Sequence, residues 1–176
     1  MLRPLAVIVA AIQLRHPEVT NADADRFAKA LREQAEIHDF DPLTGVAIIS
    51  HESRFKPEAR SHNGEDYGLA QIRARYIDEC KGTKDPLHHP TAACLAVKQK
   101  LLVPEENIKQ MALLITRNRK FCKTKVGSET LPRWLASYQG RNNPRKRVWC
   151  KPGQGTYSVI NIRTELLRGL KKRHLL

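Results

Sequence analysis

Apolar residues recur along this chain at intervals of three and four, in short bursts separated by Pro, Gly and Asp. That rhythm belongs to amphipathic helices, and no stretch alternates long enough to signal a set of strands. Leu5, Ile8 and Ile12 open the series, lead into Gln13-Leu14 and predict a first helix. The same start, Met1-Leu2-Arg3 ahead of apolar residues 5–12 with Ala11 as a cleavage residue, also has the outline of a very short signal peptide. The helix is preferred, because the apolar run is at the lower limit of leader length. A second helix is predicted over 22–38, where Phe27, Leu31, Ala35 and Ile37 trace a stripe between charged faces. The third is signalled by Asp41 as cap, Pro42 at the first helical position, and the run Leu43, Val46, Ala47, Ile48, Ile49. Further helices are predicted over 91–101, 105–121, 131–137 and 157–172. The polar stretch "EARSHNGED" predicts a loop or small hairpin turning at Asn63-Gly64. No internal repeat is present, and "CKGTKDPLHHP" and "QGRNNPRKRVWCKPGQG" are too short and irregular to be interdomain linkers. The expected architecture is a mainly α single domain over 1–176 with at most a minor β-element.

Composition adds constraints on partners. A chain of 176 residues buries roughly 70% of its unfolded surface in one core without needing staples. The formal charge of +13 favours an anionic partner through long-range attraction. Aromatic residues make up only 6% of the chain, and none interleave with basic ones as in an RNA-reading or stacking surface, so no specific nucleic acid is expected. The basic runs "RNNPRKR" (141–147) and "RGLKKRH" are the expected contacts with a wall or envelope surface. No apolar stretch approaches the roughly 20 residues that cross a bilayer.

The four cysteines permit two disulfides in three connectivities. Cys80 with Cys94 and Cys122 with Cys150 is the expected pairing, since each closes a loop rich in Pro, Gly and Lys. Such bridges imply an oxidising compartment, against free thiols in a reducing one. A zinc set of Cys80, His88, His89 and Cys94 lacks a close Cys-x-x-Cys pair. Neither a metal nor an organic cofactor is expected, as no phosphate-cradling glycine loop is present either.

Glu52 is the residue that raises a chemical question. It stands four residues after Ile48, three after Ile49 and three before Phe55, a spacing that sets a carboxyl on an apolar helix face. Desolvation penalises the charged form and raises the pKa, giving an acid that still holds its proton near neutrality. A general acid for a glycosidic oxygen needs that property. A helix-end glutamate reaching into water is the plainer reading of the same spacing.

The following residues add to this. Glu52-Ser53, Gly68-Leu69-Ala70-Gln71-Ile72, Ala136-Ser137-Tyr138-Gln139-Gly140 and Tyr157-Ser158-Val159 follow one another in an order that resembles the motifs of the lytic transglycosylase domain. This SLT-type, goose-type lysozyme-like family cleaves peptidoglycan. The stretch "PEENIKQMALLITRNRKF" is similar to the family's helix between its second and third motifs. The likeness spans about 40–170, with 1–39 as N-terminal helices, and four ordered motifs are specific where any one is weak.

The resemblance implies a lysozyme-like fold with Glu52 as sole catalytic acid and base. Ser53 would orient it or the substrate, or simply end the helix. Gly68, Leu69 and Gln71 match the glycine-leucine-x-glutamine motif, with Ala70 where the family commonly has methionine. Tyr138 would lie near Glu52 and bind the N-acetylated sugar. Gln139 follows it in a motif one residue shorter than usual, which puts that amide's role in doubt. Tyr157 would hold Glu52 by its hydroxyl, unless it is simply a tyrosine packed between helices.

The implied reaction cleaves the MurNAc-GlcNAc β-1,4 bond and leaves a 1,6-anhydromuramic end. A second reading makes the protein a muramidase, because "ESRF" and "EDYGLAQI" also resemble animal-type lysozymes, with Asp66 as second carboxylate. A third is a non-catalytic basic binder of glycans or anionic surfaces. The expected partners are peptidoglycan glycan strands, the expected location is periplasmic or extracellular, and a monomer is favoured.

Overall fold

Asp41 starts the helix around which the molecule is built. Its carboxylate accepts from the Leu43 amide at 3.2 Å, capping a helix whose first residue is Pro42. It also accepts from Arg3 at 3.1 and 3.3 Å and from Arg163 at 2.7 Å. Burial alone would raise this carboxyl, but the bonds from Arg3, Arg163 and the Leu43 amide outweigh it and hold it below the ordinary aspartate value.

A computed structural model describes residues 3–81, 83, 85 and 87–176. Met1 and Leu2 of the leader-like start, and Gly82, Lys84 and Pro86 of the segment after Cys80, lie outside the described residues. Among those described, the order is α1 (Leu5–Arg15), α2 (Asn21–His38), α3 (Pro42–Glu52), β1 (Asp66–Tyr67), β2 (Ile72–Arg73), two 3-10 turns (Ala74–Tyr76 and Asp78–Cys80), α4 (Ala92–Lys100), α5 (Pro104–Val126), α6 (Leu131–Tyr138) and α7 (Gln154–Lys172). The two strands are antiparallel, pairing Asp66 with Arg73 and Tyr67 with Ile72. The fold is mainly α and lysozyme-like, with this hairpin as its minor β-element. No described helix is long and apolar enough to cross a membrane.

Every residue of α3 from Pro42 to Ser50 is buried. It packs against α7, α1 and α2, while α5 covers α2 and α6. Ile8 and Ile12 of α1 are fully buried in this core. On α2 the stripe is Phe27, Leu31 and Ala35; Ile37 falls off that four-residue ladder and is 63% exposed, contrary to the expected stripe.

Three boundaries differ from the sequence expectation. Helix α5 runs to Val126 before Gly127 ends it in the left-handed region, and Cys122 anchors its last turns through a disulfide to Cys150. Helix α7 begins at Gln154, where Thr156 and Gly153 form the capping contact. Helix α3 stops at Glu52, and Arg54 and Phe55 take positive φ of 54° and 61°. Phe55 therefore leaves the Glu52 face and stacks on Phe27, ring centroids 6.0 Å apart. The second disulfide joins Cys80 to Cys94 and pins the turn after the hairpin to α4.

Candidate active site

The end of α3, the hairpin, one face of α5 and the α6–α7 junction enclose an open groove of about 720 Å³. Glu52, Asp66, Gln71, Tyr138 and Gln139 all line it.

Burial pushes the Glu52 carboxyl up to about 7; the side-chain amide of Gln139 opposes the rise, and the charge of Asp66 adds to it. The expected apolar neighbour Phe55 is absent from this face, so the desolvation comes from the enclosing groove rather than from a helix stripe. Half of the carboxyl population thus carries a proton near neutrality, and the group can both give and take one.

Asp66 is treated differently. Arg73, its cross-strand partner, donates to both carboxylate oxygens at 2.8 and 3.1 Å. A bidentate guanidinium pairs with the carboxylate and engages both of its oxygens.

Tyr138 donates its hydroxyl to the Ala70 carbonyl at 3.1 Å, tying α6 to the hairpin. Burial, then the nearby charges of Glu52 and Asp66, raises this phenol well above its ordinary value, so it stays protonated. Gln139 ends α6, and its carbonyl oxygen accepts from the Thr156 hydroxyl at 3.0 Å. That bond orients the amide so that its NH2 end is available to Glu52.

The hairpin connection is held by a residue the sequence reading passed over. Asn107 on α5 is fully buried. It donates to the carbonyls of Tyr67 and Leu101 at 2.8 and 2.7 Å and accepts from the Ala70 amide at 2.7 Å. Gly68 (φ +74°) lies so close that a Cβ there would sit 2.1 Å from the Leu101 carbonyl oxygen and 2.3 Å from the Asn107 amide. The close approach expected of this glycine is thus made to protein, within the fold. Gln71, also at positive φ, spends its NH2 group on the Ala59 and Gly68 carbonyls. A further chain fixes α5 against the α6–α7 junction: Ser137 donates to Asn118 at 2.6 Å and accepts from Asn142 at 2.9 Å, and Asn142 accepts from the Cys150 amide at 2.9 Å.

Other candidates stand elsewhere. Leu69 is fully buried in the core, away from the groove lining. Ser53 is buried with its hydroxyl 3.4 Å from the Ile49 carbonyl, which makes it the end of α3 rather than part of the groove. Tyr157 is corrected: it is 54% exposed and does not line the groove. The buried stripe of α7 is Thr156, Val159, Ile162, Leu166 and Leu170, and Tyr157 lies off it. Asn107 had a legible signal, since it occupies the stripe that continues through Met111 and Ile115.

A second cluster of a serine, a histidine and a carboxylate lies outside the groove. His16 places Nε2 2.8 Å from the Ser50 hydroxyl and Nδ1 3.0 Å from Glu18, the outline of a nucleophile triad. Ser50 is only 5% exposed and does not line the groove, which makes the cluster a buried polar contact between the end of α1 and α3.

A search of curated proteins and a search of solved structures each return no match to the chain. The family model for the Transglycosylase SLT domain matches residues 29–149, well over half of the chain and including the α3 terminus, the hairpin, α5 and α6. With Glu52 and most of its groove inside that span, the protein belongs to the Transglycosylase SLT domain family, whose members act on peptidoglycan.

Proposed function

We propose that this protein is a peptidoglycan lytic transglycosylase using Glu52 alone as acid and then base. The observation that carries the reading is the contrast within one groove: the Glu52 carboxyl is raised to about 7, while Asp66 is committed to Arg73. Protonated Glu52 donates to the bridging oxygen as the C1–O bond of the muramic residue breaks. The acetamido group of that sugar stabilises the cation. The Glu52 carboxylate then removes the proton from the same sugar's 6-hydroxyl, whose oxygen bonds to C1 and closes the anhydro ring. No water is consumed, and Glu52 ends protonated for the next turnover.

In this mechanism Gln139 steadies the carboxylate form. The Tyr138 hydroxyl has its proton engaged by Ala70, so it meets the substrate as an acceptor, suited to an acetamido N–H. Glycan strands are the partner, one polypeptide chain suffices, and the two disulfides fit action in the periplasm or outside the cell.

Hydrolysis with Asp66 as second carboxylate is the competing reading, supported by its place in the same groove and its electrostatic reach to Glu52. Mass spectrometry of products from purified peptidoglycan separates the two. Muropeptides lighter by one water than hydrolysis products are expected; reducing-end products would move the assignment to a muramidase.

A further inference from the structure

The groove carries more positive charge than a neutral chain of N-acetylated sugars calls for. Asp66 and Arg73 cancel one another. Arg117 on α5 and Arg141 just beyond α6 also line the groove, both exposed. Among the described residues neither guanidinium makes a hydrogen bond or an ion pair. Arg117 contributes only to the field at Asp78, which Lys81 already holds.

Arg141 is also seated in an electrostatically unfavourable place. Its guanidinium fills the space left by the missing side chain of Gly153, with Nη1 2.4 Å and Cζ 2.6 Å from where a Cβ would stand. Gly153 is the N-cap of α7, a helix of 19 residues. The positive end of a helix repels a cation and attracts an anion, so guanidinium and helix end reinforce each other toward an anionic group arriving in the groove.

We propose that Arg141 and Arg117 form a carboxylate-reading subsite, which makes the preferred substrate a strand whose muramic acids carry their peptide stems. This rests on the functional reading above and narrows its substrate. The sugars of the glycan backbone are themselves uncharged, whereas the stem ends in carboxylates, the geometry that a guanidinium fork grips with two hydrogen bonds.

The experiment compares kcat/KM on three preparations freed of phosphate-bearing wall polymers. These are stem-bearing strands, the same strands with their stem carboxyls amidated, and strands stripped by an amidase. Amidation keeps the size of the stem and removes its charge. It is expected to lower kcat/KM about tenfold in the wild-type protein, the scale of one lost charge-assisted hydrogen bond. In the R117A/R141A double variant the ratio between intact and amidated strands should fall close to one. G153A, which displaces the Arg141 guanidinium without removing its charge, should give an intermediate ratio.

An amidation effect absent from the wild type, or undiminished in the double variant, overturns the inference. Stripped strands expose a lactyl carboxylate instead of the stem. If the wild type cuts them as fast as stem-bearing strands, the arginines read the muramic acid itself and the stem assignment falls. Cleavage of none of the three overturns the functional reading together with the inference, whereas equal cleavage of all three overturns the inference alone.

Discussion

Glu52 ends a helix whose first nine residues are all buried, while Asp66 sits on a two-residue strand held by polar bonds. The floor of the groove is set by apolar packing against α1, α2 and α7. Its hairpin wall is set by Asn107, by the Arg73 fork and by the Cys80–Cys94 bridge after β2. The same functional group therefore acquires two chemistries. The carboxyl on the floor is desolvated and can exchange a proton near neutrality; the one on the wall is neutralised by a partner the hairpin register supplies. Burial without a counter-ion raises the Glu52 carboxyl, whereas pairing in the same groove engages both oxygens of Asp66.

The largest test of this contrast is Glu52→Gln. It should lower kcat about a thousandfold, the middle of the range for a lost proton donor. It should also change stability in a pH-dependent way. The folded carboxyl lies near 7 against 4.5 unperturbed, so the native state binds more protons between these values and loses stability as pH rises through them. Glu52→Gln removes that loss, so thermal unfolding should show a gain at pH 8 and none at pH 4. A wild-type rate in the variant would remove Glu52 from the chemistry.

Next come two ways of loosening the wall while leaving the floor intact. Replacing Cys80 and Cys94 together with alanine should cost about 3 kcal/mol in denaturant unfolding, the scale for closing a loop of this length. Asn107→Ala should cost about 2 kcal/mol, because it strands the Ala70 amide and the Tyr67 and Leu101 carbonyls in a buried site. Hydrogen exchange at residues 67–70 should accelerate in this variant more than exchange in α3. Uniform acceleration would mean that floor and wall are one cooperative unit.

The smallest effect sharpens the comparison most. Asp66→Asn removes the charge that adds to the burial of Glu52, so the alkaline limb of the kcat/KM profile should move to lower pH. At pH 5, where Glu52 is protonated either way, kcat should fall only about threefold, within the spread of a modest electrostatic change. A loss of a thousandfold at pH 5 would instead make Asp66 the second carboxylate of a hydrolase.

The helical scaffold was legible because most helices bury a periodic stripe, and some begin at a recognisable cap, as Asp41-Pro42 and Thr91 do. The existence of an acid at position 52 was legible for the same reason, although its separation from Phe55 was not. Nothing in a helical pattern announces that Arg54 and Phe55 turn back at positive φ. The motif residues divided in two: Tyr138 and Gln139 line the groove, whereas Tyr157 depends on a rotation about α7 that Thr156 sets by its own burial. Asn107 and Thr156 were missed because a buried polar residue shows its worth only through the distant carbonyls and amides it meets. Those partners lie as much as 40 residues away in the chain for Asn107 and 17 for Thr156.

Gly68 has a consequence for sequence drift. Every amino acid except glycine brings a Cβ, and at this site that atom would lie 2.1 Å from one backbone oxygen, which no side-chain rearrangement relieves. A saturation library should therefore be empty at position 68 even for alanine and serine. The neighbouring Ala70 is engaged through its backbone alone, its amide by Asn107 and its carbonyl by Tyr138, and should tolerate replacement better than Gly68. The wall of the groove can vary in what it shows the substrate, but hardly at all in the path of its backbone.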